Sequence, residues 1–582
     1  MAEVLISPGV LARENDQSFL QAQPIQAGAA IVGPTAKGPV GIPTLVTTYS
    51  DYQNKFGTVV ESGSAEYTYL TSISTYNYFQ QGGDSLLVTR VASGSYTSAT
   101  STPISNSLSS NAFTLKTISE GIEQNSSGST GTNGTLNNGT KENVRWEIVQ
   151  PNTATGTFSL LVRQGNDRQN NKSVLETWAN LSLDPNSNDY IEKVIGNSKQ
   201  VVDNDGTEYY VKNEGEYLNR SRYVYIDSVS TPTLNYFDNA GNAKTQYTAS
   251  IPLASSGSFK GATGTAFTSA NSPANFYDSI NNTNSQGFDS AALGDTSTPG
   301  TYGVAFNLLA NQDDYQFNLI TAPGLIKGNS NASSELTTMV NNAQTRGDNL
   351  AILDLVNWNT GISTVVAGAS AIDSSYAATY WPWLQTIDPD LNKTVWVPAS
   401  TMIPGVYAFN DRAGEAWFAP AGLSRGGLST VLRAERKLTN GNRNTLYTDN
   451  VNPIATFPNT GVVVFGQKTL QKAASALDRV NVRRLLIALK GFITQIADNL
   501  VFEQNTAATR NNFLTQVNPY LSSVQQRQGL YAFKVVMDDS NNTPDVIDRN
   551  QLVGQIYIQP TKTAEFIYLD FNILPTGVTF PS

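Results

Sequence analysis

The densest run of residues that could do chemistry lies between Gly461 and Thr469. Gly461-Val-Val-Val-Phe-Gly466-Gln467-Lys468-Thr469 approaches the pattern G-x-x-x-x-G-K-[ST], in which glycine amides cradle phosphates and a lysine reaches them. One residue too many precedes the lysine, and the four residues between the glycines are a strand-forming run. Strand, turn and helix start describe it better than a nucleotide loop. Asp538-Asp539-Ser-Asn541-Asn542-Thr-Pro544-Asp545 offers oxygen ligands in the manner of a calcium loop. It lacks the glycine at the sixth position and the closing glutamate, and reads as an Asx-rich turn before a strand. Sequons at Asn133 and Asn138 carry little meaning without a secretory signal. No two carboxylates stand out as an acid and base for glycoside hydrolysis, a pairing that spacing alone does not reveal.

The stronger statement is an exclusion. The 582 residues contain no histidine and no cysteine. Histidine is the commonest general base and metal ligand, and cysteine supplies thiolate nucleophiles, zinc thiolates and disulfides. A Ser-His-Asp or Cys-His enzyme is therefore impossible within this chain. Charged residues make up only 14%, and the 37 basic and 47 acidic side chains leave a net charge of −10. A nucleic-acid binder would carry a basic excess. No apolar stretch approaches the ~20 residues that span a bilayer, and Met-Ala-Glu-Val-Leu-Ile-Ser-Pro-Gly is not a secretory signal. The chain reads as a structural or binding protein made in a cytoplasm, with no cofactor and no metal site.

The elements that would position these residues divide the chain. Residues 1–22 form an arm whose Val4-Leu5-Ile6 is too short for a core of its own; it is either disordered or pairs as a short strand with something else. Residues 23–94 read as mixed α/β, the first part of a discontinuous domain. Strands are expected at 27–32, 44–48 and 86–91, and helices at 50–56 (capped by Ser50, closed by Gly57) and 65–81. Residues 95–204 read as an inserted β-rich outer domain, with a low-complexity loop at 125–140, and 205–300 as a second irregular β-rich elaboration. The α/β character returns over 301–439, with strands at 317–321 and 351–356. A C-terminal core domain spans 440–560, and 561–582 form a terminal strand or arm. The fold class is α+β or mixed α/β, multidomain.

Two segments carry more specific content. Val482, Leu485, Leu486, Leu489, Phe492, Ile493, Ile496 and Leu500 recur at helical spacing over 481–503, with Arg483, Arg484 and Lys490 on the other side. From Lys468 to Lys490 there are six basic residues and one acid, Asp478. This is either a solvated helix face or an electrostatic contact with an acidic partner. At the C-terminal end, Ile567, Leu569, Phe571 and Ile573 alternate with Phe566, Tyr568, Asp570 and Asn572, so the four share one strand face. Such a strand either closes its own sheet or adds to a neighbour's. Burying four such groups yields roughly 6–12 kcal/mol, ordering about eight residues costs roughly 8–16, and each hydrogen bond returns about 1. The balance is near zero, so arms of this kind hold only where many act together.

Taken in order, the motifs resemble the tail sheath protein of contractile-tailed bacteriophages. The resemblance rests on Ser7-Pro8-Gly9-Val10, Ala30-Ile-Val-Gly33, Lys37-Gly38-Pro39, Phe56-Gly57, and Phe79 with Gly82-Gly83 before Val88-Thr-Arg90-Val91. It continues through Glu176-Thr-Trp to Asp184-Pro185, Tyr380-Trp-Pro-Trp383, Val397-Pro-Ala-Ser400, Asp411 with Gly414, and Trp417-Phe-Ala-Pro-Ala-Gly422. Leu446-Tyr447 to Asn452-Pro453, Gly461 to Leu470, Asn481-Val-Arg-Arg484 and Ala564-Glu565-Phe566-Ile567 complete it. Ala399 departs from the second proline common in the family.

The resemblance implies a conserved core holding both chain ends, with β-rich insertion domains outside. The 301–439 region would be the family's subtilisin-like domain, here without a triad. It implies a subunit that polymerises with itself as stacked hexameric rings around a tail tube protein and meets baseplate and terminator proteins. On contraction it would drive the tube through the host envelope for genome ejection, without enzymatic activity. Its place would be the virion tail, assembled in the host bacterial cytoplasm, with no nucleic-acid partner and no membrane insertion. Val4, Leu5, Ile6, Ile567, Leu569, Phe571 and Ile573 would make inter-subunit arm contacts, and Arg483, Arg484 and Lys490 would face the tube. The sheath of a bacterial contractile injection system fits the same residues. A carboxylate-based glycan depolymerase on a β-rich scaffold is the alternative from another class.

Overall fold

In the computed structural model, residues 25–568 are described except 63–64, 128–130, 132, 207, 265–279, 283, 287 and 290–297. The expected arm contacts Val4, Leu5, Ile6, Leu569, Phe571 and Ile573 lie outside the described residues.

An eight-stranded sheet organises the chain. Across it run Gly461–Val464, Asn452–Phe457, Ala377–Trp381, Leu350–Asp354, Leu319–Ile326, Ala29–Gly33, Leu86–Arg90 and Thr44–Val46. The central six strands are parallel, and the two edge strands pair antiparallel. Parallel strands need both faces covered, so they read as continuous apolar runs. Each run splits by period two. Ala30, Val32, Leu87, Ala351 and Leu353 face one core, with the helices Tyr302–Leu308, Ser330–Arg346 and Ile362–Ser370. Ala29, Ile31, Leu86, Val88, Leu350 and Ile352 face the other, with Leu70–Gln80 and Ile403–Ala413. The architecture is mixed α/β with helices on both faces, drawing its strands from both sides of the long insertion.

That insertion leaves after Arg90 and returns before Tyr302. Its two roots touch, since the Ala92 amide donates to the Gly300 carbonyl at 2.9 Å. Two four-stranded sheets face each other across a shared core of Phe113, Trp146, Phe158, Leu160 and Val224. Strands Val224–Val229, Ser255–Gly257 and Phe259–Lys260 complete sheets begun by Ser98–Ser101, Phe113–Glu120, Val144–Asn152, Thr157–Gln164 and Val174–Ser182. The sandwich therefore runs through the boundary expected at residue 204. Hydrogen bonding across strands, not composition, fixes its extent. Inside it Arg163 is buried and bidentate to Asp167 at 2.7 and 2.9 Å, with Glu147 at 2.9 Å.

Two local expectations shift. The first helix spans Tyr49–Phe56, and its cap is Thr48, whose hydroxyl accepts from the Asp51 amide at 3.0 Å; Ser50 is already helical. The next helix starts at Leu70, because Ala65–Thr68 pairs with Val59–Ser62 as a hairpin. Their β-branched and aromatic residues (Val59, Val60, Tyr67, Thr68) favour a strand over a helix start.

Candidate functional site

Ligands of doubly wound sheets bind outside the carboxyl ends of the strands. Here Asp354 ends its strand at that position, buried, accepting the Ser400 amide at 3.1 Å and the Ser400 hydroxyl. Burial pushes its carboxyl up to about 7, against the lowering effect of the Ser400 bonds. Trp381, Trp383 and Tyr380 fill the crevice, leaving about 10 Å³ of free space, room for one water and no substrate. The phosphate-loop-like segment is the strand Gly461–Val464 followed by a loop. Its Lys468 sits 4.7 Å from the Tyr447 ring. The calcium-like segment is an Asx turn: the Asp538 carboxylate accepts from the Ser540 amide at 2.8 Å, and Asn541 accepts from the Asp538 amide at 2.9 Å. Among the described residues no cluster of three or more metal-ligating side chains occurs, and no helix is long and apolar enough to cross a membrane.

The open geometry lies in the C-terminal unit. Helix Val480–Asp498 packs on Ala507–Gln526, with Leu485, Leu489, Ile496, Phe513, Val517, Leu521 and Val524 forming a separate core. The apolar spacing read from the sequence makes this face. Against it lies an antiparallel ladder of only two strands, Leu530–Val536 and Gln555–Pro560, paired Phe533 to Ile558 and Val535 to Ile556. Those four side chains point to the helices and are only partly buried, while Tyr531 and Tyr557 are 61% and 57% exposed. Among the described residues neither outer edge carries a third strand. A lone pair of strands is marginal in water, and an unpaired edge is a template for another chain.

The chain beyond the ladder turns back to the central sheet. Glu565 accepts from Arg479 at 2.8 Å, from the Tyr447 hydroxyl at 2.8 Å and from Gln467 at 3.0 Å. Gln467 also donates to Thr563 at 2.6 Å. Past this clasp, Phe566, Ile567 and Tyr568 are 69%, 74% and 89% exposed and lie in no strand. The expected strand through Ile567 is therefore absent over its described residues.

The expectation that Arg483 and Arg484 present themselves to a tube needs correction too. Arg483 and Arg484 are both buried. Arg484 is bidentate to Asp411, with contacts of 2.9 and 2.5 Å, and lies over the Tyr407 ring at 4.8 Å. Burial would lower its pKa, but the Asp411 carboxylate carries it above the ordinary value. Arg483 stacks on Tyr376 at 4.0 Å, and burial lowers its pKa. With Arg479 held by Glu565 and Asp478, most of the expected local excess is neutralised or buried within the chain. Lys490 alone of the three named cations is exposed, its Nζ 3.4 Å from the Tyr376 hydroxyl. Asp411 and Glu565 lie 73 and 86 residues from their arginines, beyond any local charge count.

Comparison with known proteins places this geometry. Residues 302–470 match the phage tail sheath protein central domain, and residues 472–574 match the phage tail sheath C-terminal domain. Over those residues the chain is similar to the phage tail sheath family. It is similar to the tail sheath protein of Vibrio phage KVP40, 36% identical over 235 residues, covering 40% of this chain and 35% of that protein. The tail sheath protein of Enterobacteria phage T4 is 36% identical over 230 residues, with the same coverage. The matched region thus spans about a third of the length of these curated relatives. The crystal structure of a sheath tail protein from Listeria innocua shares the fold, with a TM-score of 0.51 over 93% of this chain and 96% of that one, at 9% identity.

Proposed function

We propose that the chain is a contractile tail sheath subunit with no catalytic step. It polymerises as stacked hexameric rings around a tail tube, meets baseplate and terminator proteins at the ends of the cylinder, and contracts to drive the tube through the host envelope. It acts in the virion tail after assembly in the host cytoplasm. The observation that carries this reading is the two-stranded ladder with no third strand among the described residues, together with a terminal segment, Phe566 to Tyr568, that is exposed and in no strand. The proposed occupants of those edges are the arms of neighbouring copies, Val4-Leu5-Ile6 from one and Ile567, Leu569, Phe571 and Ile573 from another. Inserted strands supply the backbone partners that the ladder lacks and cover the half-exposed Phe533, Val535, Ile556 and Ile558. Lys490 is the residue retained for a tube contact; Arg484 instead ties its helix to the helix Ile403–Ala413, and Arg483 to Ser375 and Tyr376.

Deleting residues 1–12 tests the assignment. The truncated chain keeps its circular dichroism spectrum and thermal midpoint but gives no hollow striated cylinders in negative stain, whereas the full chain gives them. Ordinary cylinders from the truncated chain would refute the arm exchange.

A further inference from the structure

Charge is unevenly placed along the sequence. Residues 411–490 hold 12 basic and 5 acidic side chains, against 25 and 42 in the rest. Of the cations on or beside the helix Val480–Asp498, Arg479, Arg483 and Arg484 are consumed within the fold. A second group is not. Between Arg425 and Arg443 lie Arg425, Arg433, Arg436, Lys437 and Arg443, and none makes an ion pair with a described carboxylate. The one acid of that stretch, Glu435, is half-buried and accepts from the backbone amides of Asn359 and Trp383.

Four of these cations rest on aromatic rings. Arg425 lies 4.9 Å from the ring of Phe418, Arg433 5.2 Å from Trp396, and Arg436 5.7 Å from Trp381. Arg443 is shared by Phe457 and Phe465 at 5.4 and 5.8 Å. Sheet register brings them to one region. Trp381 pairs with Pro453, whose carbonyl receives the Phe465 amide, and the Arg425 turn is bonded to Val464 beside it. Arg433, Arg436 and Lys437 are exposed. Ring stacking holds a guanidinium in place without neutralising it, so the charge stays available to an incoming carboxylate at little further ordering cost.

The same chain carries a counterpart. The hairpin of Lys199–Asn204 and Tyr209–Glu214 in the outer insertion has Asp203, Asp205, Glu208, Glu214 and Glu216 against two lysines, Lys212 and Lys199, the latter paired with Glu120 outside the hairpin. Glu208, Glu214 and Glu216 are exposed. Five cations with one acid are matched by five acids with two cations. We propose that the stacked-arginine strip of one copy docks on the acidic hairpin of a second copy. The identity of the partner rests on the self-assembly reading; the charge pairing does not depend on ring or cylinder geometry.

Charge swapping in the full-length chain tests it. Arg433→Glu/Arg436→Glu/Lys437→Glu weakens subunit association about 100-fold at low salt, read by sedimentation equilibrium, and flattens its salt dependence. Glu208→Lys/Glu214→Lys/Glu216→Lys does the same. Mixing the two variants restores association, because each then presents the partner's missing sign. Arg433→Gln/Arg436→Gln, a milder change at exposed positions, shifts the constant in the same direction with an unchanged thermal midpoint. Association unaffected by either reversal overturns the proposal. So does a strip reversal that spares self-association and abolishes binding to a short DNA duplex. Cylinders in the electron microscope report on the sheath reading, and salt-dependent pairing reports on the strip, so the two fail separately.

Discussion

Asp354 occupies the position where a doubly wound sheet usually does its chemistry, and the fold treats it as a buried acid. Its ordinary pKa is 3.8, and burial holds it at about 7 in the folded chain. Between those values the native state binds a proton that the unfolded state has released. The favourable effect is fully present below about pH 4 and is lost as pH rises through about 7. Asp354→Asn removes the titration. The variant is therefore more stable than the parent at pH 8, by up to about 4 kcal/mol, and the gap closes by pH 4. Thermal unfolding of both chains across that range measures it, and parallel curves would refute the assignment.

Elements in this protein are anchored by side chains that sequence spacing does not pair. The helix Val480–Asp498 joins the helix Ile403–Ala413 on the central sheet through the Arg484 and Asp411 pair, closed on one side by Tyr407. Arg484→Ala leaves a cavity and an Asp411 carboxylate that is still partly solvated, at a cost of about 2–4 kcal/mol. Denaturant unfolding shows the loss in isolated subunits, with no tube present; an unchanged midpoint would return Arg484 to a surface role. The helix itself was legible from its apolar spacing, as were the strands at 86–90 and 350–354, because burial on both faces leaves an uninterrupted apolar signature. The hairpin Val59–Thr68 was hidden because Ala65 and Glu66 suit a helix start as well as a strand. Arg483 and Arg484 were misread for another reason: a charge count sees neighbours in sequence, and their burial depends on Tyr376, Tyr407 and Asp411 from distant segments. Of the candidate site, the terminal arms stood out in the sequence. The two-stranded ladder did not, because short strands at 530–536 and 555–560 look ordinary until no third is found beside them among the described residues.

At the scale of the molecule, the terminal segment leaves from the central sheet and not from the ladder. Glu565, through Tyr447, Gln467 and Arg479, sets that point of departure. Glu565→Gln keeps the shape and removes the charge. Trypsin then cuts after Lys562 at least about tenfold faster, since the local opening it needs is no longer opposed by a charge-assisted bond worth roughly 1.5–3 kcal/mol. Mass spectrometry of timed digests reads the rate, and equal rates would show that the clasp does not hold the segment.

The clasp also decides where force goes. A pull on whatever chain follows Tyr568 reaches Glu565 first, and from there the edge strand Gly461–Val464 and the sheet behind it, before it reaches Pro560. Tension is thus borne by an eight-stranded slab stressed along its length, and the two-stranded ladder is spared being unzipped from its end.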